Sequence, residues 1–397
     1  MTVCPVCAAE DPLLTVTRDR VPSMQNYVHR TREAARAATR GQVSLATCPA
    51  CGFSWNATFD PSKLEYDAGY DNAVPSAVMA RYYEEIAQYL GRAYSLARGG
   101  LVVDVGCGDG RFLDVLCRVW PECHGLGVDP ALPGDEVRAD GRIRLVSGVF
   151  SKDLLDRPPS LFLSRHVLEH MPSPVAFVRD LRTAMDDLDV PLFVEVPDLG
   201  WILEHRAFWD FCYEHCNYFT DASLAQVLRR AGFRPTSTRV AFGSQYRWME
   251  AVPAHDTTSR RPSDAGSVLQ GRLREYVAGE QDRVGAIQGR LRELKARGDR
   301  VALWGMATKG IMFSLMVDPD STLIDHTVDV NANKQGCYVP ISGRQIEAPD
   351  TLRQIGETPL AVVVMNPNYL AEIAAACREL GVSANYLDAS GAELVAA

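Results

Sequence analysis

The stretch that decides the fold is residues 101–110, LVVDVGCGDG. An apolar run containing Asp104 breaks into a turn that holds Gly106 and Gly108, and a helix-compatible segment follows. A second apolar run, HGLGV, ends at Asp129. This order of strand, glycine turn, helix and a second strand ending in an acid is the one that nucleotide-type ligands use in open α/β sheets. The glycines let the backbone approach a ligand where a Cβ would clash.

The spacing of the glycines narrows the choice of ligand. The turn reads GxGxG and lacks the GxGxxG spacing that seats a pyrophosphate on the helix. A βα turn without a ligand and an NAD site are the alternatives. With its acid two residues upstream, the turn resembles the glycine motif of class I S-adenosylmethionine (SAM) methyltransferases. The resemblance implies a SAM site formed by Asp104, Gly106, Gly108, Asp129, Phe150 and His166.

The composition is that of an ordinary globular protein. The chain has 397 residues, of which 47% are hydrophobic and 23% charged, so two or three domains are expected. A formal net charge of -9 argues against a nucleic-acid partner. No apolar run approaches a membrane span, and the N-terminus lacks the features of a secretory signal. We therefore expect a cytoplasmic protein that acts on a small molecule, with no membrane partner.

Four of the 11 cysteines stand out by their spacing. Cys4 and Cys7 form one CxxC pair, and Cys48 and Cys51 form another. Two thiolate pairs on tight turns supply four tetrahedral zinc ligands, which leave no position for a catalytic water. The first unit, residues 1–75, has a core that looks too small to fold unaided. We predict a structural zinc site, with free thiols or a catalytic metal as the alternatives.

The alternation of strands and helices divides the rest of the chain. Residues 76–255 read as a doubly wound α/β domain that ends in a hairpin, with strands near 236–240 and 246–252. A polar linker and a long amphipathic helix occupy residues 256–298. A second, smaller and Rossmann-like α/β domain is predicted over residues 299–397.

The long helix, predicted over residues 264–296, carries an apolar stripe with a spacing of about 3.5 residues. The stripe consists of Leu269, Leu273, Tyr276, Val284, Ile287, Leu291 and Leu294. It predicts either a helix packed on the body of the protein or the seam of a dimer. A monomer and a homodimer are therefore both open.

The C-terminal domain begins with RVALWGMATKG at residues 300–310, a strand followed by a glycine turn. Backbone N–H groups and Lys309 predict a cradle for a phosphate or carboxylate of the substrate. The turn lacks the GKS/T of a Walker A loop. The alternative is a Rossmann-like turn that holds no ligand.

Two histidine clusters are candidates for the chemistry. His166-x-x-Glu169-His170 matches an inverted zinc-protease pattern, but His166 ends a strand, which favours a place in the SAM pocket. Glu214 and His215 follow the fifth strand of the central domain, where aromatic residues surround the donor crevice. A carboxylate beside a buried imidazole tunes a general base. The alternative is that this pair only orders a loop.

In their order along the chain, these motifs resemble those of the sugar C-methyltransferases of deoxysugar biosynthesis. That family has an N-terminal zinc-binding domain, a central SAM domain and a C-terminal Rossmann-like domain. The resemblance rests on the two CxxC pairs, VDVGCGDG, HVLEH, Glu214-His215 with Tyr218-Phe219, WGMATKG, and VDVNANKQGCYVP at residues 328–340. It implies methylation of a keto sugar linked to a nucleoside diphosphate.

The resemblance also assigns roles within the site. It makes His215 the base that removes a C–H proton next to a carbonyl. We expect Glu214 to orient the imidazole and Tyr70 to hydrogen-bond the enolate oxygen. The expected substrate contacts are Tyr66, Tyr218 and Lys309.

Two positions depart from the family pattern. Cys212 stands where a tyrosine is common, and residues 365–368 read MNPN in place of a Pro-Trp-Asn element. These departures leave a second hypothesis open, O- or N-methylation of a small polar natural-product intermediate. A non-catalytic module that binds a partner is the third hypothesis.

Overall fold

The computed structural model describes residues 3–64, 69–73, 75–254 and 265–395. Tyr66 and most of the polar linker lie outside these ranges. Within them, no helix combines the length and the apolar character needed to cross a membrane.

Three sheets organise the described chain. The first part of the chain contributes β1 (Leu13–Pro22), β2 (Arg40–Thr47) and β3 (Ser54–Asn56). The central part contributes β4 (Leu101–Val105), β5 (His124–Asp129), β6 (Glu136–Arg138), β7 (Ile143–Ser147), β8 (Pro159–Arg165), β9 (Leu192–Pro197), β10 (Asn217–Tyr218), β11 (Phe233–Ala241) and β12 (Tyr246–Pro253). The last part contributes β13 (Arg300–Trp304), β14 (His326–Val328), β15 (Leu360–Val364), β16 (Ala384–Asp388) and β17 (Glu393–Leu394).

The central sheet has the strand order β11-β12-β9-β8-β4-β5-β7-β6. Its inner strands are parallel, and β12 pairs antiparallel with both β9 and β11. The predicted doubly wound order with a closing hairpin is confirmed. All five residues of β4 are buried, as expected of a strand covered on both faces. The strands that follow β4 are added first on one side of it (β5 and β7) and then on the other (β8 and β9), and at such a switch point a crevice opens at the carboxyl ends of β4, β5 and β8.

The N-terminal sheet is completed by the central domain. Its order is β1-β2-β3-β10, and β10 pairs antiparallel with β3. Because β10 directly follows His215, the N-terminal unit holds the segment that carries the predicted base.

The C-terminal sheet has the order β14-β13-β15-β16-β17, in which only β17 is antiparallel to its neighbour. The predicted second parallel α/β domain is therefore present in the fold. The boundaries proposed between the units remain predictions.

Helices cover the sheets and begin where the sequence supplies caps. They are α1 (Arg32–Arg36), α2 (Ala77–Ala93), α3 (Arg111–Val119), α4 (Pro174–Met185), α5 (Leu199–Glu204), α6 (Asp221–Arg230), α7 (Ala265–Ala278), α8 (Glu280–Ala296), α9 (Thr308–Val317) and α10 (Leu370–Glu379). The Ser76 hydroxyl accepts from the first turn of α2, and Thr220 forms a capping box with Ser223.

The predicted long helix is two helices. α7 and α8 meet at Gly279, because glycine is the poorest helix former after proline. The apolar stripe spans both helices and is buried within the chain; Leu273, for example, is 0% exposed. The stripe is thus used in the intramolecular core and is not free to form a dimer seam.

Candidate active site

The glycine turn after β4 is closed by the end of β5. The Gly106 N–H donates to the carbonyl of Val128 at 2.8 Å, and the Gly108 N–H donates to the Asp129 carboxylate at 2.8 Å. Gly106 has φ +81°, and a Cβ there would lie 2.4 Å from Val167. Gly108 has φ +56° and open space beyond it. The backbone at Gly108 is therefore accessible to a ligand, as predicted for the donor turn.

Two buried charges beneath this turn have unused polar atoms. Asp104 is 3% exposed, and among the described residues its Oδ1 has no hydrogen-bond partner. Burial raises the pKa of Asp104 to about 6, and the positive charge of Arg165 opposes this. Arg165 lies 4.2 Å from the ring centroid of Phe112 and binds Glu195, while its Nη2 also has no described partner. An unsatisfied acceptor and donor at one sheet edge fit the ammonium and carboxylate of a methionine group.

His166 sits at the carboxyl edge of β8, as predicted, with a left-handed backbone (φ 54°). Its Nδ1 lies 3.2 Å from Glu169, and its Nε2 lies 3.7 Å from Glu195. The pKa of His166 is raised: burial lowers it, but the Glu195 and Glu169 carboxylates outweigh burial. His166 is therefore tied to two buried carboxylates, and its contact with SAM stays a prediction.

Phe150 follows β7, at the side of the crevice next to β5. It is 9% exposed and packs edge-on against Phe162, with 5.2 Å between the ring centroids. This position borders the predicted SAM site, and its contact with the ligand remains a prediction.

Glu214 has different partners from the one predicted. Its Oε1 accepts from the backbone N–H groups of Gln25 and Asn26, and its Oε2 accepts from the Tyr70 hydroxyl at 2.8 Å. The expected bond to His215 is absent among the described residues, because both carboxylate oxygens of Glu214 bind Gln25, Asn26 and Tyr70. The structure thus corrects the role of Glu214: it holds Tyr70 and the N-terminal segment, and it does not orient the imidazole.

His215 instead faces His170 and Glu169, which the sequence analysis assigned to the other histidine cluster. Its ring lies edge-on to His170, with 5.1 Å between the ring centroids. Ligand atoms of Glu169, His170 and His215 all lie within 4.8 Å of one another, and Glu169 Oε2 has no described partner. Burial lowers the pKa of His215 to about 3, and His170 acts in the same direction while Glu169 opposes it. The ring is therefore neutral at neutral pH.

The tautomer of His170 follows from its partner. Its Nδ1 lies 3.0 Å from the backbone carbonyl of Glu214. A carbonyl only accepts hydrogen bonds, so Nδ1 of His170 carries a proton. Two imidazoles thus meet beside one carboxylate, a set that could accept a proton or hold a divalent cation.

Tyr218 lies on β10 and is 3% exposed. Its hydroxyl donates to the backbone carbonyl of Cys212 at 3.0 Å. The structure places this predicted substrate contact inside a core to which all three parts of the chain contribute. Cys212 itself is fully buried, and burial raises the pKa of its thiol well above the usual range. A buried thiol of this kind packs and is chemically inert.

Lys309 pairs with an acid of the central domain. Its Nζ donates to the Asp210 carboxylate and lies 5.1 Å from the centroid of the Trp201 ring. The side chain is 25% exposed. Lys309, which was predicted to bind an anionic group of the substrate, therefore binds a carboxylate of the protein in this structure.

The four predicted metal cysteines come together. Their sulfur atoms all lie within 4.8 Å of one another, with Cys4 and Cys51 3.6 Å apart and Cys7 and Cys48 3.5 Å apart. A tetrahedral site with Zn–S bonds of about 2.3 Å has S···S edges of about 3.8 Å. The Val6 N–H also donates to the Cys4 sulfur at 3.4 Å. The set fits a closed, structural zinc site.

Comparison with known proteins agrees with the geometry of the crevice. Residues 77–238 match the model of a methyltransferase domain. Residues 272–385 match the model of a C-methyltransferase C-terminal domain. The chain is a SAM-dependent methyltransferase. Its central domain has the class I methyltransferase fold, and the hypothesis of a non-catalytic module is wrong.

One relative covers nearly the whole methyltransferase chain. It is C-methyltransferase NovU from Streptomyces niveus, 24% identical over 395 residues, which cover 93% of this chain and 90% of that protein.

Two solved structures each match less than half of this chain. Mitomycin 7-O-methyltransferase MmcR is 18% identical with a TM-score of 0.34, over 45% of this chain and 55% of that one. The riboflavin-type dimethyltransferase RosA from Streptomyces davawensis is 21% identical with a TM-score of 0.35, over 44% of this chain and 56% of that one. This chain thus spans little more than half of either enzyme.

Sequence reasoning missed three residues of the site: Glu169, His170 and Asn26. The HVLEH motif contains the first two, and the sequence analysis considered them only beside His166, because no local pattern indicates that they meet His215. Asn26 carries no local signal at all, because its partners lie far away along the chain.

Proposed function

We propose that the enzyme methylates a carbon atom next to a carbonyl group. The observation that carries this proposal is the cluster of His215, His170 and Glu169 at the crevice, where the neutral ring of His215 and the ring of His170 meet a buried carboxylate. Methylation of carbon needs a base for a C–H proton, and imidazole is the side chain best suited to that step. The match of the C-terminal domain and the similarity to NovU support the same conclusion.

His215 is the proposed base. Its low pKa keeps the ring unprotonated before the reaction. The negative charge of Glu169 then stabilises the imidazolium that forms when the ring accepts the proton. The C–H bond breaks, the proton moves to His215, and the electron pair moves onto the carbonyl oxygen as an enolate. Bound SAM supplies the methyl group that the enolate carbon then takes up. General-base catalysis of this kind contributes about 10²–10⁴-fold.

Tyr70 and Glu214 are the proposed partners of the enolate oxygen. In the structure the Tyr70 O–H donates to Glu214. Glu214 keeps two backbone N–H bonds when that hydroxyl turns, so Tyr70 can donate to the enolate without leaving a bare buried carboxylate. We therefore assign Glu214 the task of presenting Tyr70.

The proposed donor site uses the two unsatisfied charges. Asp104 would accept from the ammonium group of SAM, and Arg165 would bind its carboxylate. Gly106, Gly108 and Asp129 would contact the rest of the ligand, beside Phe150 and His166. The proposed acceptor is a keto sugar linked to a nucleoside diphosphate, a class that the family resemblance supports.

Structural zinc at Cys4, Cys7, Cys48 and Cys51 is part of the proposal. Metal analysis of the purified enzyme is expected to give one zinc per chain, and Cys48→Ser is expected to lose it with the fold of the N-terminal unit. A second equivalent of metal that disappears in His170→Asn would instead assign a cation to Glu169, His170 and His215.

Deuterium wash-in tests the reaction directly. The enzyme is incubated in D₂O with SAH and a thymidine-diphosphate-linked 4-keto hexose, and deuterium next to the carbonyl is followed by mass spectrometry. We expect the wild type to incorporate deuterium, and His215→Asn to lose at least about 100-fold in rate while it still binds SAH. Lys295→Met is the control, because Lys295 pairs with Asp325. Wash-in that survives in His215→Asn would move the base to His170.

The second candidate is O- or N-methylation of a small polar intermediate. Hydroxyl transfer also needs a base, so the imidazole pair is compatible with it. Product formation without any wash-in of deuterium would favour this alternative.

A further inference from the structure

The motif at residues 328–340 contains a loop that the proposed reaction does not use. Residues 331–334, NANK, leave the C-terminal domain and reach the segment that carries Tyr70. Asn331 and Asn333 donate to the two carboxylate oxygens of Asp71 at 3.1 and 2.8 Å. Two amides from one loop thus clamp the residue next to Tyr70.

Lys334 extends this clamp into the interior. It is 3% exposed, and its Nζ donates to Oδ1 of Asn26 at 2.9 Å. The Nδ2 of the same amide donates to the Thr308 hydroxyl at 3.0 Å. Both ends of the Asn26 side chain are therefore fixed by the C-terminal domain.

The backbone of Asn26, whose side chain is held by Lys334 and Thr308, forms hydrogen bonds with Glu214 and Asp71. Its N–H donates to Glu214 Oε1 at 3.3 Å, and its carbonyl accepts from the Asp71 N–H at 3.0 Å. Tyr27 and Tyr70 pair as an antiparallel bridge on the same segment. One residue of the N-terminal unit therefore connects Lys334 to both proposed partners of the enolate oxygen.

The buried ammonium of Lys334 also interacts electrostatically with the carboxylates around it. Burial lowers the pKa of Lys334, and the carboxylates of Asp329, Asp71 and Glu214 oppose that shift. A lysine buried to this extent is retained only where carboxylates or hydrogen bonds compensate it. Glu214, whose own hydrogen bonds come from neutral groups, thus has a buried cation in its surroundings.

We propose that loop 331–334 is a positioning element of the methyl-transfer site, in which Lys334 and the two asparagines hold Asn26 and Asp71, and through them Glu214 and Tyr70. Lys334 is a positioning residue, because its ammonium contacts Asn26. The inference rests on the proposed function for its effect on catalysis, whereas its effect on the segment around Tyr70 is independent of the acceptor.

Three variants separate positioning from general stability. Lys334→Met keeps the length of the side chain and removes the charge. Asn333→Ala removes one bond to Asp71 at an exposed position and is expected to fold. Lys295→Met is the control for removal of a lysine charge, since Lys295, on α8, pairs with Asp325 of the C-terminal domain.

Hydrogen–deuterium exchange tests the geometry without an acceptor. Peptides that cover residues 69–73 are expected to exchange at least about threefold faster in Lys334→Met and in Asn333→Ala, because the Asp71 N–H loses its support. Lys295→Met is expected to match the wild type. Unchanged exchange in both loop variants would overturn the proposal, and if Lys334→Met fails to fold, Asn333→Ala decides.

Kinetics test the consequence for the reaction. With the 4-keto hexose probe, we expect Lys334→Met to lower kcat for deuterium wash-in by about tenfold or more and Asn333→Ala by about two- to fivefold. SAH affinity and the KM for the probe should stay within about threefold, and Lys334→Arg should recover part of the loss. A merely structural loop would instead change stability and SAH affinity together, and wild-type kcat in Lys334→Met would contradict the proposal.

The two hypotheses fail differently. Wild-type enzyme without any wash-in, but with faster exchange at residues 69–73 in the loop variants, would remove C-methylation and keep the positioning role. Normal wash-in in every loop variant would keep C-methylation and remove the positioning role.

Discussion

The described chain contains the same strand-turn-helix geometry twice, with different residues packed around the two turns. Gly106 donates to the carbonyl of Val128, and Gly305 donates in the same way to the carbonyl of Val328, both at 2.8 Å. In each copy the acid after the next strand accepts from the turn: Asp129 from Gly108, at 2.8 Å, and Asp329 from Met306, at 2.7 Å.

The difference lies in what fills the space beyond the turn. Met306 is fully buried, whereas the corresponding first turn ends in open space at Gly108. Gly310 packs so closely on the second turn that a Cβ there would lie 2.0 Å from the Gly305 carbonyl oxygen. A glycine turn thus indicates a backbone shape, and the side chains around it decide whether a ligand has room.

Matched glycine substitutions should separate the two turns most clearly. Gly108 and Gly305 both have positive φ, +56° and +103°, and open space for a Cβ. Alanine at either position should cost about 1–2 kcal/mol of unfolding free energy from backbone strain. We expect Gly108→Ala to weaken SAM binding by at least about 100-fold in calorimetry, because the Cβ enters the ligand space. Gly305→Ala should leave SAM affinity unchanged; an equal loss in both variants would break the comparison.

Asp129 and Asp329, the acids that accept hydrogen bonds from the two turns, should differ in whether substitution affects SAM binding or stability. Asp329 is 6% exposed and accepts from Met306 and Asn331, so Asp329→Asn should destabilise the protein by about 1–3 kcal/mol in denaturant unfolding. Asp129→Asn should change stability less and weaken SAM by about 10-fold. If Asp329→Asn instead altered only the KM of the acceptor, the second turn would be a ligand site.

The pH dependence of the unfolding free energy should report on the buried, neutral state of His215. The pKa of His215 is lowered from 6.5 to about 3, so the unfolded chain binds the extra proton between these values. The stability from neutral His215 is complete above pH 6.5 and is lost as pH falls from there towards 3, by about 2 kcal/mol at pH 5. Urea unfolding of wild type and His215→Asn at pH 8 and pH 5 measures it. Parallel losses in both proteins would show that other groups dominate, such as His29, whose pKa is also lowered by burial.

The smallest effect is expected at Lys309. Its ammonium is paired with Asp210, so Lys309→Met should lower stability by about 1 kcal/mol or somewhat more and change the KM of the 4-keto hexose probe by less than about threefold. Asp210→Asn provides the matched partner variant. A tenfold rise in KM in Lys309→Met alone would assign the lysine to the anion of the acceptor and would make the second turn resemble the first.

Sequence patterns predicted the fold well because they depend on local order. The closing strands predicted near residues 236–240 and 246–252 correspond to β11 and β12, since the runs of residues that form strands are local signals. The prediction of one long helix was wrong at Gly279, because the apolar periodicity of the sequence continues across a break between two helices. Four cysteines on two CxxC turns likewise met as their spacing predicted.

The sequence by itself determined a SAM-dependent methyltransferase with two α/β domains, because a strand, a glycine turn and an acid form one short continuous signal. Only the tertiary structure decided which residues meet. It turned Glu214 towards Asn26 and Tyr70, and it brought His170 and Glu169 to His215. These contacts join segments from all three units, and side-chain direction across such distances depends on packing that no local pattern encodes.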